Sequence, residues 1–467
     1  MDRYVKNLLE TGSDWAQASQ LFEKLISCEG EDLQIKATIH LARLSKYAPE
    51  TTLAQAVPIL VELLGTPISG RHPSVQEAAA YCLNCLALHG AGSLCALIAQ
   101  CGAIPLTLSL LPQSQPRFRK ILLKCLRTIV TCDGISRRIL SRNGGLDVIL
   151  NLLSSSANDM RRYLLEILTA LAMLREVRLV IISVGGAPLL IEAAGTGKMV
   201  SRTRAAHAIG LLGVTRRVRQ MLVGLGAVHV LVHLMRDGDM PAKLTAGNAL
   251  GIISSHIDYV RPVACSGAIP LFAQLLEGEE SLGREIAEDV FCILAVAEEN
   301  AITIVGHVVR ILQNGNDEAK AAAADVLWDL SGYKHSFSVV GTSGAIPLLL
   351  ELLRGGNEDV REKASGAIAQ LSYDERDREA LVEEGAIPLL IELLSDQSEE
   401  LKDNAAEALI NFSEDPILRE RISQVVDMQS FRELQQRFVR FRMSDEYTVR
   451  SLRQMSIDQF VAEPELA

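Results

Sequence analysis

The sequence predicts an all-α repeat solenoid, and three observations carry that prediction. One phrase recurs: Gly385-Ala386-Ile387-Pro388-Leu389-Leu390-Ile391-Glu392-Leu393-Leu394 is nearly restated at Gly344-Ala345-Ile346-Pro347-Leu348-Leu349-Leu350-Glu351-Leu352-Leu353. Weaker copies at Gly102, Gly145, Gly185, Gly226, Gly267 and Gly306 complete a series with intervals of 43, 40, 41, 41, 39, 38 and 41 residues. Periods near forty, filled only by helical patterns, mark stacked helix repeats. Finally, 48% of the 467 residues are hydrophobic but only 4% are aromatic, which suits Leu/Ala-rich helix packing and leaves few stacking platforms for single-stranded nucleic acid.

Each phrase reads as a corner between helices. A Gly closes one helix in the left-handed conformation, a Pro suits the first turn of the next, and the Leu/Ile run after it supplies a buried face. A longer Ala/Leu-rich helix follows each corner, as at 360–373 and 401–413, and a short third helix such as 377–384 leads to the next Gly. Long helices are expected near 33, 75, 118, 160, 201, 240, 282, 318, 360 and 401, which makes about ten repeats over residues 31–428. Residues 1–30 are expected to hold a capping helix around Trp15–Ile26, because the end of a stack must hide its core from water. The first corner, Ala56-Val57-Pro58, has lost its Gly, and the corner at Gly65–Ser74 is lengthened. Residues 429–467 break the pattern and are expected to form a charged, mobile tail.

The net charge of −11 argues against wholesale nucleic-acid binding. Nine cysteines, an odd number, lie scattered in apolar helix patterns; Cys82 and Cys85 form a CxxC that reads as two buried small hydrophobes in a reducing compartment. Met1-Asp2-Arg3-Tyr4 lacks the apolar core of a signal peptide and the Gly that myristoylation needs. No apolar run reaches membrane-spanning length without a charge or a break. A cytosolic or nuclear location is expected.

The Gly-Ala-Ile-Pro-Leu-Leu phrase, followed by Ala405-Ala406-Glu407-Ala408-Leu409-Ile410-Asn411, resembles the armadillo repeat. The resemblance spans roughly residues 31–428 and is sharpest in the last two copies. The wording looks most like plant armadillo-repeat proteins, including relatives of the vacuolar armadillo protein and the repeat portion of plant U-box ligases. The resemblance implies a right-handed α-solenoid of three-helix repeats whose long third helices line a concave groove for extended peptides.

Nuclear-import adaptors of similar fold carry a Trp ladder and an Asn ladder four residues apart, on one helical face. Here the Trp position reads Ile39, Tyr81, Lys124, Glu166, His207, Asn248, Asp289, Asp325, Gly366 and Glu407. The Asn position reads Arg43, Cys85, Thr128, Ala170, Leu211, Ile252, Ile293, Asp329, Gln370 and Asn411. Only Asn411 fits, and Trp15 and Trp328 fall outside the ladder, so nuclear-signal reading is disfavoured. The same face is basic at Lys120, Lys124 and Arg162 and near neutral at His207 and Asn248. It turns acidic at Glu285, Asp289, Asp325, Asp329, Asp403 and Glu407. Residues 113–225 hold 18 Lys/Arg and 6 Asp/Glu, a net +12, leaving −23 for the rest. The bland reading is a solvated face; the functional one is a polarised groove that orients an extended partner.

The tail holds Arg432, Arg437, Arg440, Arg442, Arg450 and Arg453, so it could fold back on the acidic repeats. Ser456, after Arg453-Gln454-Met455, resembles a basophilic-kinase site at which phosphate would weaken that docking. No catalytic constellation emerges, and no cofactor or metal is expected. His229 and His233 have zinc-compatible spacing but no Glu between them. Gly90-Ala91-Gly92-Ser93 follows no strand and is no phosphate cradle. Arg216-Arg217-Val218-Arg219 reads as ordinary surface charge. The function expected is a non-catalytic scaffold or adaptor that binds other proteins, with the substrate-recognition part of a U-box-type ubiquitin ligase system as the alternative.

Overall fold

The computed structural model describes residues 15–27, 30–65, 73–155, 158–332, 337–425 and 436. Among them the regular elements are helices, with no strand, so the all-α solenoid expected from the repeat period is the fold observed. A helix lies over each of the ten segments read as long helices. The chain divides into two compact units, Met1–Val230 and Leu231–Ala467.

In the first unit the long helices are Glu31–Leu44, Pro73–Ala87, Pro116–Cys132, Asn158–Ala172 and Met199–Gly213, each packed on the next. Helices Glu50–Gly65, Ala103–Leu110, Gly145–Ser155 and Gly186–Gly195 each pack against the long helix that follows. Short helices Cys95–Gln100, Gly134–Arg142, Arg175–Ser183 and Arg216–Gly224 fill the corners. The N-terminal helix Trp15–Ile26 packs on Glu31–Leu44 and buries Phe22 and Ile26.

The second unit repeats this plan. Its long helices are Met240–Ser254, Ser281–Leu294, Asp317–Leu330, Glu358–Leu371 and Glu399–Phe412, again packed in succession. Fully buried Phe272 and Phe291 meet edge-to-face at 6.3 Å in its core. Four of its long helices start on a side-chain cap: Asp239, Asn316, Asn357 and Ser398 each accept the N–H three residues on. Such caps satisfy a donor that the first turn leaves open.

The corners are built largely as read. Gly102, Gly185, Gly226, Gly267, Gly344 and Gly385 all adopt φ between 80° and 92°, where only Gly avoids a Cβ penalty. Three corners differ from the sequence reading. At 144–145 the left-handed residue is Gly144 (φ 69°), not Gly145. Gly145 instead opens the next helix, where a Cβ would lie 2.6 Å from the Leu140 carbonyl oxygen. Gly306 is no corner at all. It lies inside the continuous helix Glu298–Asn314, because no Pro follows it and Ile304, Val305 and Val308 bury one uninterrupted face. Pro58 likewise sits inside helix Glu50–Gly65.

A second recurring device was not read from the sequence. After a long helix ends, an arginine of the next short helix reaches back to its last carbonyls. In the first unit Arg137 Nε donates to Val130 O (2.9 Å), Arg178 Nε to Ala172 O (2.8 Å) and Arg219 Nε to Gly213 O (2.8 Å). In the second, Arg378 Nη1 donates to Ser372 O (2.9 Å) and Arg419 Nε to Ser413 O (2.7 Å). A cation on a helix C-terminus satisfies orphan acceptors and opposes the negative end of the dipole. Arg219 is therefore no surface charge: it is buried and forms this latch.

Candidate protein-binding faces

In the first unit, Lys124, Arg162 and His207 are exposed and Lys120 is half-buried. The long helices that carry them are cross-braced by residues the sequence reading passed over. Glu166 accepts from Arg127 Nη1 at 3.2 Å and faces Arg204 Nε at 3.4 Å, so one carboxylate ties three successive long helices together. Arg127 lies three residues after Lys124, and Arg204 three before His207. Both fall on the same helical face, and that spacing was the available signal. Arg162 stacks over its neighbour Tyr163 at 4.5 Å, which fixes a long cationic side chain. Asp159 is held by Lys198 at 2.9 Å. That bond, with Lys120 and Arg162 nearby, keeps its carboxyl below the usual range. Partial desolvation against the neighbouring helices, then the positive Arg204, lowers the His207 pKa, which favours the neutral ring near pH 7. The face carries Lys120, Lys124, Arg127, Arg162 and Arg204 against Asp159 and Glu166, a net positive surface.

In the second unit, Asn248, Glu285 and Asp289 are exposed, and Asp325, Asp329 and Asp403 are half-buried. Asp325 Oδ1 pairs with Lys363 Nζ at 3.0 Å, and Lys363 lies 5.8 Å from the centre of the Trp328 ring. The Lys363 pKa is raised: burial, which opposes its charge, is outweighed by Asp325. Asp329 Oδ2 accepts from Cys292 Sγ at 3.1 Å. A cleft of about 200 Å³ opens here, lined by Arg284, Glu288, Glu318, Asp325, Asp359 and Lys363 among others. Glu288 is half-buried in it. Burial first, then Asp325, Asp289 and Glu285, push its carboxyl up to about 7 against the pull of Lys363.

Two of the expected acidic-end residues are not on an open face. Glu407 and Asn411 are each 2% exposed. Glu407 Oε1 accepts from the Tyr373 hydroxyl at 2.6 Å, and Asn411 Nδ2 donates to Ser372 Oγ at 2.8 Å. With Asn404 Nδ2 to Ser365 Oγ at 2.9 Å, they form a polar seam between helices Glu358–Leu371 and Glu399–Phe412. Burial of polar groups demands such partners, so these residues join helices rather than present a surface. Ser456 and the tail docking lie outside the described residues, as do residues 1–14 of the expected capping segment.

Among the described residues no group of His, Cys, Asp and Glu could hold a metal ion. His233 Nδ1 pairs instead with Asp237 Oδ2 at 3.0 Å. Burial raises the Cys82 thiol pKa, which disfavours the reactive thiolate. No single described helix is long and apolar enough to cross a membrane.

Residues 337–373 and 374–413 match the family model of the Armadillo/beta-catenin-like repeat. These two repeats are armadillo-like. Among solved structures the chain is similar to an engineered protein from the Northeast Structural Genomics Consortium, with a TM-score of 0.69 and 22% identity over 84% of this chain and 98% of that one. At that identity the likeness establishes the fold. No curated protein matches the chain. The armadillo-like match falls on the two copies whose corner phrase is best preserved, at Gly344 and Gly385.

Proposed function

We propose that this protein is a non-catalytic scaffold that binds extended segments of other proteins on the faces of its long helices. Armadillo-type solenoids typically serve protein interaction, which supports the general reading. One contrast carries the particular one. The corners repeat the same Gly and Arg devices, whereas the long-helix faces diverge, basic in the first unit and acidic in the second. Residues that only maintain a stack would repeat with it. The first unit would take acidic segments through Lys120, Lys124, Arg127, Arg162 and Arg204. The second would take basic segments through Glu285, Asp289, Asp325 and Asp329, with Trp328 beside them. We also propose a cytosolic or nuclear location, since the described cysteines are all free. Recognition of substrates for a ubiquitin ligase would use the same faces and adds only a ubiquitin-transfer partner.

Fluorescence anisotropy with a Glu-rich and an Arg-rich peptide tests the reading. Reversing Lys120, Lys124 and Arg162 to Glu should weaken the acidic peptide about tenfold or more at low salt and leave the basic one unchanged. Charge reversal at Asp289 and Asp325 should do the opposite. Unchanged affinities in both variants, or the same partners recovered by proximity labelling, would refute the assignment.

A further inference from the structure

Away from these faces, the first unit exposes apolar side chains where other repeats are polar or small. Met173, Val180 and Val184 are 54%, 46% and 43% exposed. One period later, Val214, Met221 and Leu225 are 51%, 43% and 46% exposed. Each pair is separated by 41 residues. The short helices beneath them, Arg175–Ser183 and Arg216–Gly224, pack side by side. The two sets therefore form one continuous strip. The same register reads Ser255, Pro262 and Ser266 in a later copy and Tyr373, Ala380 and Glu384 in another, so the fold does not require apolar residues there. Contiguous exposed apolar surface of this kind marks an interaction site.

The strip is bordered by positive charge. Arg175, Arg216 and Arg217 are exposed at the starts of these two helices, with Glu176 the acidic residue among them. The corresponding helix one period earlier, Gly134–Arg142, exposes Arg138 and Arg142 and holds no carboxylate.

We propose that this strip is a docking surface for an anionic lipid bilayer. Apolar residues that enter the headgroup–acyl boundary, flanked by arginines that meet anionic headgroups, are the two components of interfacial binding. A second copy is a poor occupant, because a two-fold contact uses the same patch on both copies and would bring two net-positive borders together. A protein partner fits less well. Protein hot spots centre on aromatic anchors, whereas the exposed apolar members of this strip are aliphatic and thioether side chains, with no aromatic among the six. A bilayer needs neither register nor a shaped pocket.

Co-sedimentation of the full chain with vesicles tests the proposal, comparing phosphatidylcholine alone with a mixture containing about one third phosphatidylserine. Binding is expected only to the mixture. Val180→Asp with Met221→Asp should weaken it about tenfold or more, and Arg175→Glu with Arg217→Glu should remove the preference for anionic lipid. Lys120→Glu with Lys124→Glu, on the other basic face, should leave it intact. If the Asp pair fails to fold by circular dichroism, Val180→Ser with Met221→Ser replaces it. Absence of wild-type binding to the anionic vesicles would overturn the proposal. So would undiminished binding by the apolar variants, loss confined to the Lys120/Lys124 variant, or capture of a soluble protein by this face without any lipid binding.

Discussion

The ring of Trp328 packs against Gly366: a Cβ at 366 would sit 2.4 Å from two ring carbons. The glycine stands at the position where an import adaptor would carry its own ladder Trp, and it leaves room for an indole supplied by the preceding long helix. Gly366→Ala should therefore destabilise the protein by about 1–3 kcal/mol through overpacking, even though Ala is the better helix former by about 1 kcal/mol. Urea unfolding measures the sum. In Trp328→Leu the same glycine substitution should become neutral or stabilising.

Glycines at 306 and 385 should respond with opposite signs. Both have open space around a Cβ, but Gly385 has φ 84° while Gly306 is an ordinary helix-interior residue. Gly385→Ala should cost about 1–2 kcal/mol in backbone strain. Gly306→Ala should add about 0.5–1 kcal/mol of stability. Thermal melts of the two variants against wild type make the comparison.

Stability of the second unit should rise on mild acidification. Burial, with Asp374 beside it, pushes the Asp377 carboxyl up to about 7, and Glu288 is also raised to about 7. Both folded values exceed the unfolded ones of about 4, so the protonated forms favour the fold. That stabilisation is full below pH ~4 and is lost as pH rises through ~7. Asp377 is 4% exposed and its Oδ2 has no partner; the same register holds buried Val177 and Val218 in the first unit. Asp377→Val should raise Tm at pH 8 and flatten its pH dependence, with little advantage left at pH 5.

Glu166 restrains the basic face that it braces. Glu166→Gln removes the carboxylate shared by Arg127 and Arg204, at a stability cost of about 1 kcal/mol for a partly exposed pair. The freed guanidiniums should bind the Glu-rich peptide a few-fold more tightly, with a steeper dependence on salt. Anisotropy titrations at two ionic strengths decide it.

The corner latch tests whether charge or geometry matters. Arg219→Lys keeps the cation but loses the directed Nε donor to Gly213, and should cost about 1–3 kcal/mol. A comparable Arg→Lys change at exposed Arg217 should cost almost nothing by the same denaturant melts.

The stack was legible in the sequence because its corners are local. A left-handed glycine and a following Leu/Ile run leave their mark within a dozen residues, and the helices over 358–371 and 399–412 fall where that mark puts them. Gly306 misled because a glycine marks a corner only when the neighbouring residues also break the helix, and Ile304, Val305 and Val308 continue it. The faces were less legible. Lys124 and Asp289 could be placed by register alone, but the burial of Glu407 depends on Tyr373, a residue of the preceding repeat. The bracing of Glu166 likewise depends on side chains thirty-nine and thirty-eight residues away. Contacts between repeats join positions that periodicity aligns without saying which of them touch.

The arginine latch has a mechanical consequence. Arg219 and Gly213 are six residues apart, as are Arg378 and Ser372, so each latch closes within its own repeat and needs no neighbour. A chain pulled from its ends would part first at the packed seams between repeats, where Asn411 meets Ser372 or Glu166 meets Arg204. The bends themselves would hold. Stepwise lengthening in a force–extension measurement, with each corner keeping its local geometry, is the expected response.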